Sequence, residues 1–259
     1  MEIADALKES YIKGFLNEGK RADSRGMLEF RDIRIKRGTI DHAEGSAEIE
    51  LGSTKVLAAV KLVLESPMED TPDQGNLIIN AELLPFASAE YETGPPTPES
   101  IEFARVVDRG IRAGNCIDLK SLFIEEGKAW TVFVDLYVLN YDGNLLDAGE
   151  IAAMSALLDT KVPKYEDGKA IMKERVKKLK VDNIVASTTF GKIDNYLLLD
   201  MDGNEEKVAN ARITIATDGE NIRAMQKGLN GSFDKSEIEK LLDNSFEHYG
   251  KLKKIIQNE

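Results

Sequence analysis

The chain has 259 residues, with 34 Lys and Arg against 46 Asp and Glu, which gives a formal net charge of −12. Its 42% hydrophobic and 31% charged residues are typical of a folded protein and exclude a disordered or collagen-like one. An acidic chain is a poor free-standing nucleic-acid binder, because sequence-independent affinity for a polyanion depends on many Lys and Arg contacts. One cysteine, Cys116, excludes an intramolecular disulfide and a cysteine-rich metal site.

The amino-terminal region does not have the pattern of an export signal. No apolar run of 18 residues occurs anywhere in the sequence, and the first 20 residues combine acidic residues with an amphipathic pattern. We therefore expect a cytoplasmic protein with no membrane partner.

Periodicity predicts helices and strands in alternating groups. Apolar residues at helical spacing predict a first helix over about residues 3–16. Alternating apolar and charged residues then predict an antiparallel meander of three strands: Phe30–Arg37, Gly45–Leu51 and Lys55–Leu64. The Pro-rich segment Gly94–Pro98 interrupts this region.

A second helix is predicted over Pro98–Ala113, with Thr97 as its N-cap. Its spacing predicts a buried face of four apolar residues: Ile101, Ala104, Val107 and Ile111. Three arginines share the flank of this helix and are called the arginine edge: Arg105, Arg109 and Arg112. Guanidinium groups bind phosphates and carboxylates through paired hydrogen bonds. The arginine edge therefore indicates either a contact surface for an anionic partner or a solvated helix face.

The second half of the chain repeats the mixture of strands and helices. A long strand over Lys128–Asn140 precedes a central helix over Asp147–Thr160, for which Asp147 and Glu150 indicate a capping box. The basic stretch Lys161–Lys180 is interpreted as a linker or a solvated helix face. The remaining predicted elements are three strands and a final helix: Asn183–Thr189, Tyr196–Met201, Ala211–Thr217 and about 236–257. This order predicts an α+β protein, which we interpret as one domain over residues 1–259.

Most common catalytic motifs are missing from the sequence. The two histidines, His42 and His248, lack partners at the spacing of a zinc site or a catalytic triad. No phosphate-binding loop or dinucleotide fingerprint occurs. Four carboxylates, Asp200, Asp202, Glu205 and Glu206, indicate either a divalent-cation site or, as we favour, a solvated hairpin turn.

Several segments resemble the RNase PH family of phosphorolytic 3′→5′ exoribonucleases. They are Arg21–Arg25 followed by Glu29–Arg31, the run Gly45–Val60 and the helix Ile101–Arg112, and the resemblance extends over about residues 20–250. Within the family, Glu69–Leu77 and Gly143–Ala148 are similar to the non-catalytic RNase PH-like subunit of the archaeal exosome. The resemblance implies the RNase PH-like fold, in which duplicated β-α units form mixed sheets packed with helices.

The chain departs from active relatives at both parts of the expected active site. Active relatives carry a Thr/Ser-Arg pair at the start of the central helix, where phosphate binds against backbone N–H groups. Here Glu150 and Ile151 replace that pair, so the resemblance implies a carboxylate that repels phosphate and the loss of a cation. Two catalytic aspartates of active relatives correspond to Glu206 and Arg212. We therefore expect no catalytic residue and no metal ion in this chain.

The resemblance implies a non-catalytic subunit of the archaeal exosome ring, which degrades RNA phosphorolytically from its 3′ end. Three copies would alternate with three catalytic RNase PH-like partners in a hexameric ring, with RNA-binding cap proteins as further candidate partners. The arginine edge would contact the RNA 3′ end across the interface, and Arg105 and Arg109 are the best candidates. No cofactor is expected in this chain, whereas magnesium and inorganic phosphate are expected at the partner's site.

Two other functions compete with this interpretation. The chain would be an active phosphate-dependent exoribonuclease if Asp200 or Asp202 rebuilt the acid site, although Glu150 and Ile151 argue against it. Alternatively, it would be an acidic protein-interaction module unrelated to RNA. Loss of RNA cross-linking when Arg105 and Arg109 are replaced would exclude the second alternative.

Overall fold

A computed structural model describes residues 3–257, and the side chains of residues 7–257. Residues 1, 2, 258 and 259 of the predicted domain lie outside the described residues. Five helices occur in the described part of the chain: α1 (Ile3–Asn17), α2 (Pro98–Ala113), α3 (Leu145–Asp159), α4 (Gly203–Val208) and α5 (Lys235–Gln257). None of them combines the length and the apolar composition needed to cross a bilayer.

The first sheet has six strands and is mixed. Its strands are β1 (Ile33–Arg37), β2 (Gly45–Leu51), β3 (Thr54–Glu65), β4 (Asn76–Leu83), β5 (Phe123–Glu125) and β6 (Lys128–Asn140). Strands β1, β2 and β3 form the predicted antiparallel meander. Strand β6 pairs with β3 on one side, antiparallel, and with β4 on the other side, parallel. A 3-10 helix, Leu119–Leu122, leads into β5. The predicted α+β class with mixed sheets is confirmed.

The second sheet has four antiparallel strands in the order β10-β9-β11-β12. These are β9 (Ala186–Ile193), β10 (Tyr196–Leu199), β11 (Ala211–Thr217) and β12 (Ile222–Gly228), and a separate hairpin consists of β7 (Lys161–Glu166) and β8 (Lys169–Lys178). Helices α2 and α3 lie between the two sheets, since α2 contacts β4 and β12, and α3 contacts β2, β3 and β9. The largest buried cluster includes Val134 from the first half and Ala216 from the second. The interpretation as one domain stays a prediction.

Helix α2 begins and ends at the predicted residues, and the Thr97 side chain caps it by accepting a hydrogen bond from the Ser100 N–H at 3.2 Å. The predicted buried face is partly wrong, because Ile101 is 47% exposed whereas Phe103 is 2% exposed. The reason is the close approach of α3. A Cβ atom on Gly149 of α3 would lie 2.1 Å from the Phe103 ring, so the missing side chain leaves room for Phe103 to pack inward.

Two segments that were predicted to be irregular are regular elements. The basic stretch forms the hairpin β7–β8 instead of a linker or a helix face, because Asp167 and Gly168 adopt positive φ angles of 49° and 76°. An Asp-Gly pair is the preferred sequence for such a two-residue turn. Strand β9 also extends to Ile193, beyond the predicted end at Thr189, and the Met201 side chain packs against its Gly191.

A buried ion pair anchors the segment that follows α1. The Arg21 side chain is 1% exposed, and its Nε atom donates to Glu205 Oε1 at 2.9 Å. Its Nη2 atom donates to Glu205 Oε2 at 2.5 Å and to the Asp200 carbonyl group at 2.9 Å, and its Nη1 atom donates to the Leu199 carbonyl group at 2.7 Å. Since every contact lies in the second half of the chain, Arg21 connects the amino-terminal segment to the second sheet.

We expect Arg21→Met to lower the free energy of unfolding by about 3–5 kcal/mol, because it leaves the Glu205 carboxylate buried without a cation. Chemical denaturation would measure this loss. Lys20→Met is the matched control, since the side chain of Lys20 is 69% exposed. Equal stability of the two variants would contradict the anchoring role of Arg21.

Candidate functional site

The amino-terminus of α3 lies at the centre of the candidate site. The helix begins at Leu145, and Asn144 is its N-cap with a left-handed φ of 53°. The Asn144 side chain accepts a hydrogen bond from the Asp147 N–H at 3.4 Å. The predicted start at Asp147, with Glu150 completing a capping box, is therefore wrong. Asn tolerates the left-handed conformation, so the helix begins two residues earlier.

Three carboxylates converge on Asn144, which is 1% exposed. Glu206 Oε1 accepts the backbone N–H of Asn144 at 2.9 Å. The Asn144 side-chain amide donates to Asp200 Oδ1 at 2.7 Å and to Asp147 Oδ2 at 2.9 Å. The positive end of a helix attracts anions. In this chain, its own carboxylates already occupy that position.

Asp200 is fully buried and is held by cations from the amino-terminal segment. Its carboxylate accepts the Arg31 N–H at 2.8 Å, the Arg31 side chain at 2.7 and 2.9 Å, and the Arg25 side chain at 3.1 Å. Burial raises the pKa of Asp200, but the hydrogen bonds and charge of Arg31 outweigh burial and hold this pKa below its ordinary value. Asp200 is therefore a charged structural group without free hydrogen-bonding capacity for a substrate.

The other members of the predicted carboxylate cluster also have partners within the chain. Asp202 caps α4 by accepting the N–H groups of Asn204 at 2.8 Å and Glu205 at 2.9 Å. The favoured interpretation, a solvated hairpin turn, is wrong, because Asp202 and Glu205 form a capping box that starts a helix. Within residues 3–257, no group of three or more His, Cys, Asp and Glu side chains is arranged to hold a metal ion.

Glu150 and Ile151 both point into the protein interior, and both are 0% exposed. The Ser187 hydroxyl donates to Glu150 Oε2, whereas Glu150 Oε1 has no hydrogen-bond partner among the described residues. Burial, and secondarily the charge of Asp147, raise the pKa of Glu150 well above its ordinary value. Burial thus favours the protonated form of Glu150, and its carboxyl group faces Ser187 inside the protein, so its position does not support the predicted repulsion of phosphate.

Burial also raises the pKa of Asp147 to about 7, although Thr189 and Asn144 donate hydrogen bonds to its carboxylate. The folded chain thus binds more protons at Asp147 and Glu150 than the unfolded chain does. Stability should accordingly fall as the pH rises above the ordinary range of these carboxyl groups, near pH 4. The fall continues through the raised pKa of each group in the folded state.

We expect Glu150→Gln to raise the melting temperature relative to the parent chain by more at pH 8.5 than at pH 5. The amide cannot ionise, so the variant avoids the cost of a buried charge at high pH, and 1 kcal/mol corresponds to roughly 2–4 °C in a chain of this size. Thermal unfolding at several pH values would measure the difference. Glu247→Gln on the exposed surface of α5 is the control. Parallel pH curves for the parent and Glu150→Gln would contradict the assignment.

The structure brings Glu206 and Arg212 to one small cavity of about 190 Å³. Tyr141 lines the same cavity, and its hydroxyl donates to Glu206 Oε2 at 2.6 Å. Burial raises the pKa of Glu206, while the hydrogen bond from Tyr141 opposes this increase. Arg212 donates to Glu102 Oε1 of α2 at 2.9 Å. Glu90, the second carboxylate among the described residues of this lining, is paired with Lys207 at 2.6 Å, so both carboxylates and the arginine already have partners.

The arginine edge lies on the exposed face of α2, together with Ile101. Arg112 is paired with Asp108 at 2.7 Å and donates to the Leu77 carbonyl group at 2.8 Å. Arg105 and Arg109 make no ion pair or side-chain hydrogen bond within the described part of the chain. Two of the three arginines are therefore available to an anionic partner.

Sequence patterns alone did not identify Asn144, Arg31 and Tyr141 as parts of this site. Asn144 follows a glycine with φ of 79° and precedes a helix, which is a recognisable signal for a cap. Arg31 lies 169 residues from Asp200 and Tyr141 lies 65 residues from Glu206, so no local pattern connects them.

Comparisons with known proteins find similarity over nearly the whole chain. The model for domain 1 of the 3′ exoribonuclease family (RNase_PH) matches residues 29–163, and the model for domain 2 of the same family matches residues 183–248. The chain belongs to the RNase PH family. The two matched ranges include Asn144, Asp200 and Glu206 of the site described above.

Two curated relatives in the RNase PH family are named exosome complex component Rrp42. The protein of Thermococcus gammatolerans is 42% identical, with 99% of this chain and 96% of the relative covered. The protein of Archaeoglobus fulgidus is 43% identical, with 97% of this chain and 96% of the relative covered. A solved chain from the Archaeoglobus fulgidus exosome with RNA bound to the active site has a TM-score of 0.92 and 42% identity, and 98% of this chain and 99% of that chain are covered.

Proposed function

We propose that this chain is a non-catalytic RNase PH-like subunit of an exosome that degrades RNA phosphorolytically from its 3′ end. The observation that supports this most directly is the hydrogen bond from the Asn144 N–H to Glu206 Oε1, at 2.9 Å. A carboxylate from the chain itself lies at the helix end where active relatives are expected to bind phosphate. The Asn144 N–H is thus already bonded to Glu206 and is not free to bind a phosphate oxygen.

The acid site provides a second, independent argument for an inactive subunit. A general acid must reach its substrate with a proton to donate. Asp200 is buried with a lowered pKa, Asp202 caps α4, and Arg212 is paired with Glu102. An active exoribonuclease that uses Asp200 or Asp202 is therefore less consistent with these contacts than a silent subunit.

The partners follow from the family and from the arginine edge. We propose a hexameric ring in which this chain alternates with a catalytic RNase PH-like subunit as three heterodimers. Arg105 and Arg109 would contact RNA phosphates near the active site of the partner, where magnesium and inorganic phosphate would bind. Cap proteins that bind RNA would complete the complex, and we place it in the cytoplasm. Arg112 would contribute less, because Asp108 already neutralises it.

We expect the purified chain alone to release no nucleoside diphosphate from a 5′-labelled oligoadenylate in the presence of magnesium and inorganic phosphate. After the catalytic partner is added, phosphate-dependent release should begin. Chromatography of the labelled products and the diphosphates would follow both reactions. Phosphate-dependent turnover by the chain alone would overturn the proposed inactivity and direct attention to the residues around Glu206.

We expect Arg105→Ala combined with Arg109→Ala to weaken RNA binding by the assembled complex roughly tenfold or more, since charge-assisted hydrogen bonds contribute about 1.5–3 kcal/mol each. The slope of log K against log salt should decrease in magnitude by about 1.4, or about 0.7 for each lost phosphate contact on a single strand. Lys240→Ala combined with Lys251→Ala removes two exposed cations of α5 and is the control. Unchanged affinity and slope would exclude the arginine edge as an RNA contact.

A further inference from the structure

The hairpin β7–β8 carries an excess of positive charge that the proposed function does not use. Residues 161–178 include seven Lys and Arg against three Asp and Glu, in a chain with a net charge of −12. Five of these lysines have no ion pair within residues 3–257: Lys161, Lys169, Lys173, Lys177 and Lys178. We call residues 161–178 the basic hairpin. Most positions in its second strand are exposed, including the final six.

The pairing within the basic hairpin brings like charges together. Lys161 lies directly opposite Lys178, and Lys177 is the next residue along the same strand. Like charges at directly opposed positions destabilise a strand pair. A polyanion bound along this strand would remove that repulsion, whereas water and salt only screen it.

A cleft of about 440 Å³ lies between the basic hairpin and the first sheet. Three aromatic side chains line it together with Lys177 and Lys178: Phe123 and Tyr165 are half-buried, and Trp130, at 4% exposed, forms its floor. Within the described residues, the lining of this cleft contains no Asp or Glu. Aromatic faces beside unpaired cations are the combination that binds single-stranded nucleic acid, because bases stack on the rings while phosphates contact the cations.

The position of the basic hairpin relates it to the arginine edge. The strand segment after β8 forms a β-bridge between Val181 and Ile117, which follows α2 directly. The Asp182 N–H also donates to the Cys116 carbonyl group at 2.9 Å. Since Arg112 lies in the last turn of α2, the base of the basic hairpin adjoins the end of the arginine edge.

We propose that the basic hairpin and its cleft form a second contact surface for single-stranded RNA, separate from the arginine edge. The lysines of β8 bind backbone phosphates, and the aromatic cleft accepts an unpaired base. The inference rests on the proposed function, since it assigns a further RNA contact to the same complex. An acidic protein segment fits the charge but not the aromatic lining, so RNA is the occupant that the observations favour.

The test is a salt titration of RNA binding by the assembled complex, with labelled oligoadenylate and without inorganic phosphate, so that no phosphorolysis occurs. The variant carries Lys173→Gln, Lys177→Gln and Lys178→Gln. Its control carries Lys240→Gln, Lys251→Gln and Lys254→Gln, which remove the same charge from α5. We expect the slope of log K against log salt to decrease in magnitude by about 2 in the hairpin variant, or about 0.7 for each of three contacts. The control should keep the parent slope.

Intrinsic fluorescence of the full chain alone provides a second readout, because Trp130 is the only tryptophan in the sequence. Oligoadenylate should change Trp130 emission in the parent chain and not in the hairpin variant. Equal slopes for the hairpin variant and its control would overturn the proposal. If the slopes are equal but the complex assembled with the hairpin variant lacks a protein subunit, the proposal is overturned in favour of an acidic protein partner. Phosphate-dependent turnover by the chain alone would contradict the proposed function. The salt titrations contain no inorganic phosphate, so they test the basic hairpin independently of that reaction.

Discussion

The burial of Asp200 is the constraint on which much of this structure depends. A charged carboxylate inside a protein is stable only when hydrogen bonds and opposite charges replace its water. Arg25 and Arg31 supply the charges, and Asn144 supplies a further hydrogen bond at 2.7 Å. These partners come from the amino-terminal segment and from the cap of α3. One carboxylate therefore fixes the end of β10, the start of the central helix and the path of the chain before β1.

The same contacts occupy the hydrogen-bonding groups at the start of α3. Asn144, held in place by Asp200, presents its backbone N–H to Glu206, and Tyr141 holds Glu206 from the other side. All of these hydrogen bonds lie within the chain. By contrast, Arg105 and Arg109 lie on an exposed face without partners in the described residues. The start of α3 is thus held by contacts within the chain, whereas Arg105 and Arg109 on the outer face of α2 are exposed.

Local patterns predicted the elements whose signals lie within a few residues. Helix α2 was predicted with its bounds because Thr97 and Pro98 mark its start, and β2 and β6 because their apolar residues recur along the strand. The basic hairpin was missed although Asp167 and Gly168 carry the turn signal, because lysines dominate the composition around them.

The candidate site was less accessible to prediction from the sequence. Its residues are joined by contacts over long sequence separations, such as the 169 residues between Arg31 and Asp200. The position of Glu150 could be predicted from the sequence, but its environment could not. Whether that carboxyl group faces solvent or Ser187 depends on how closely α2 and α3 approach, which the glycines Gly110 and Gly149 allow.

The anchoring of Arg21 to Glu205 also has a consequence for synthesis on the ribosome. The two residues are 184 positions apart, so the amino-terminal segment leaves the ribosome long before its partner exists. At translation rates of about 5–20 residues per second, this delay is roughly 10–40 s. During that interval Arg21 lacks Glu205, and Arg25 and Arg31 lack Asp200. The first part of the chain to be made is therefore among the last to reach its final position, and a nascent chain that stops before Glu205 leaves this segment undocked.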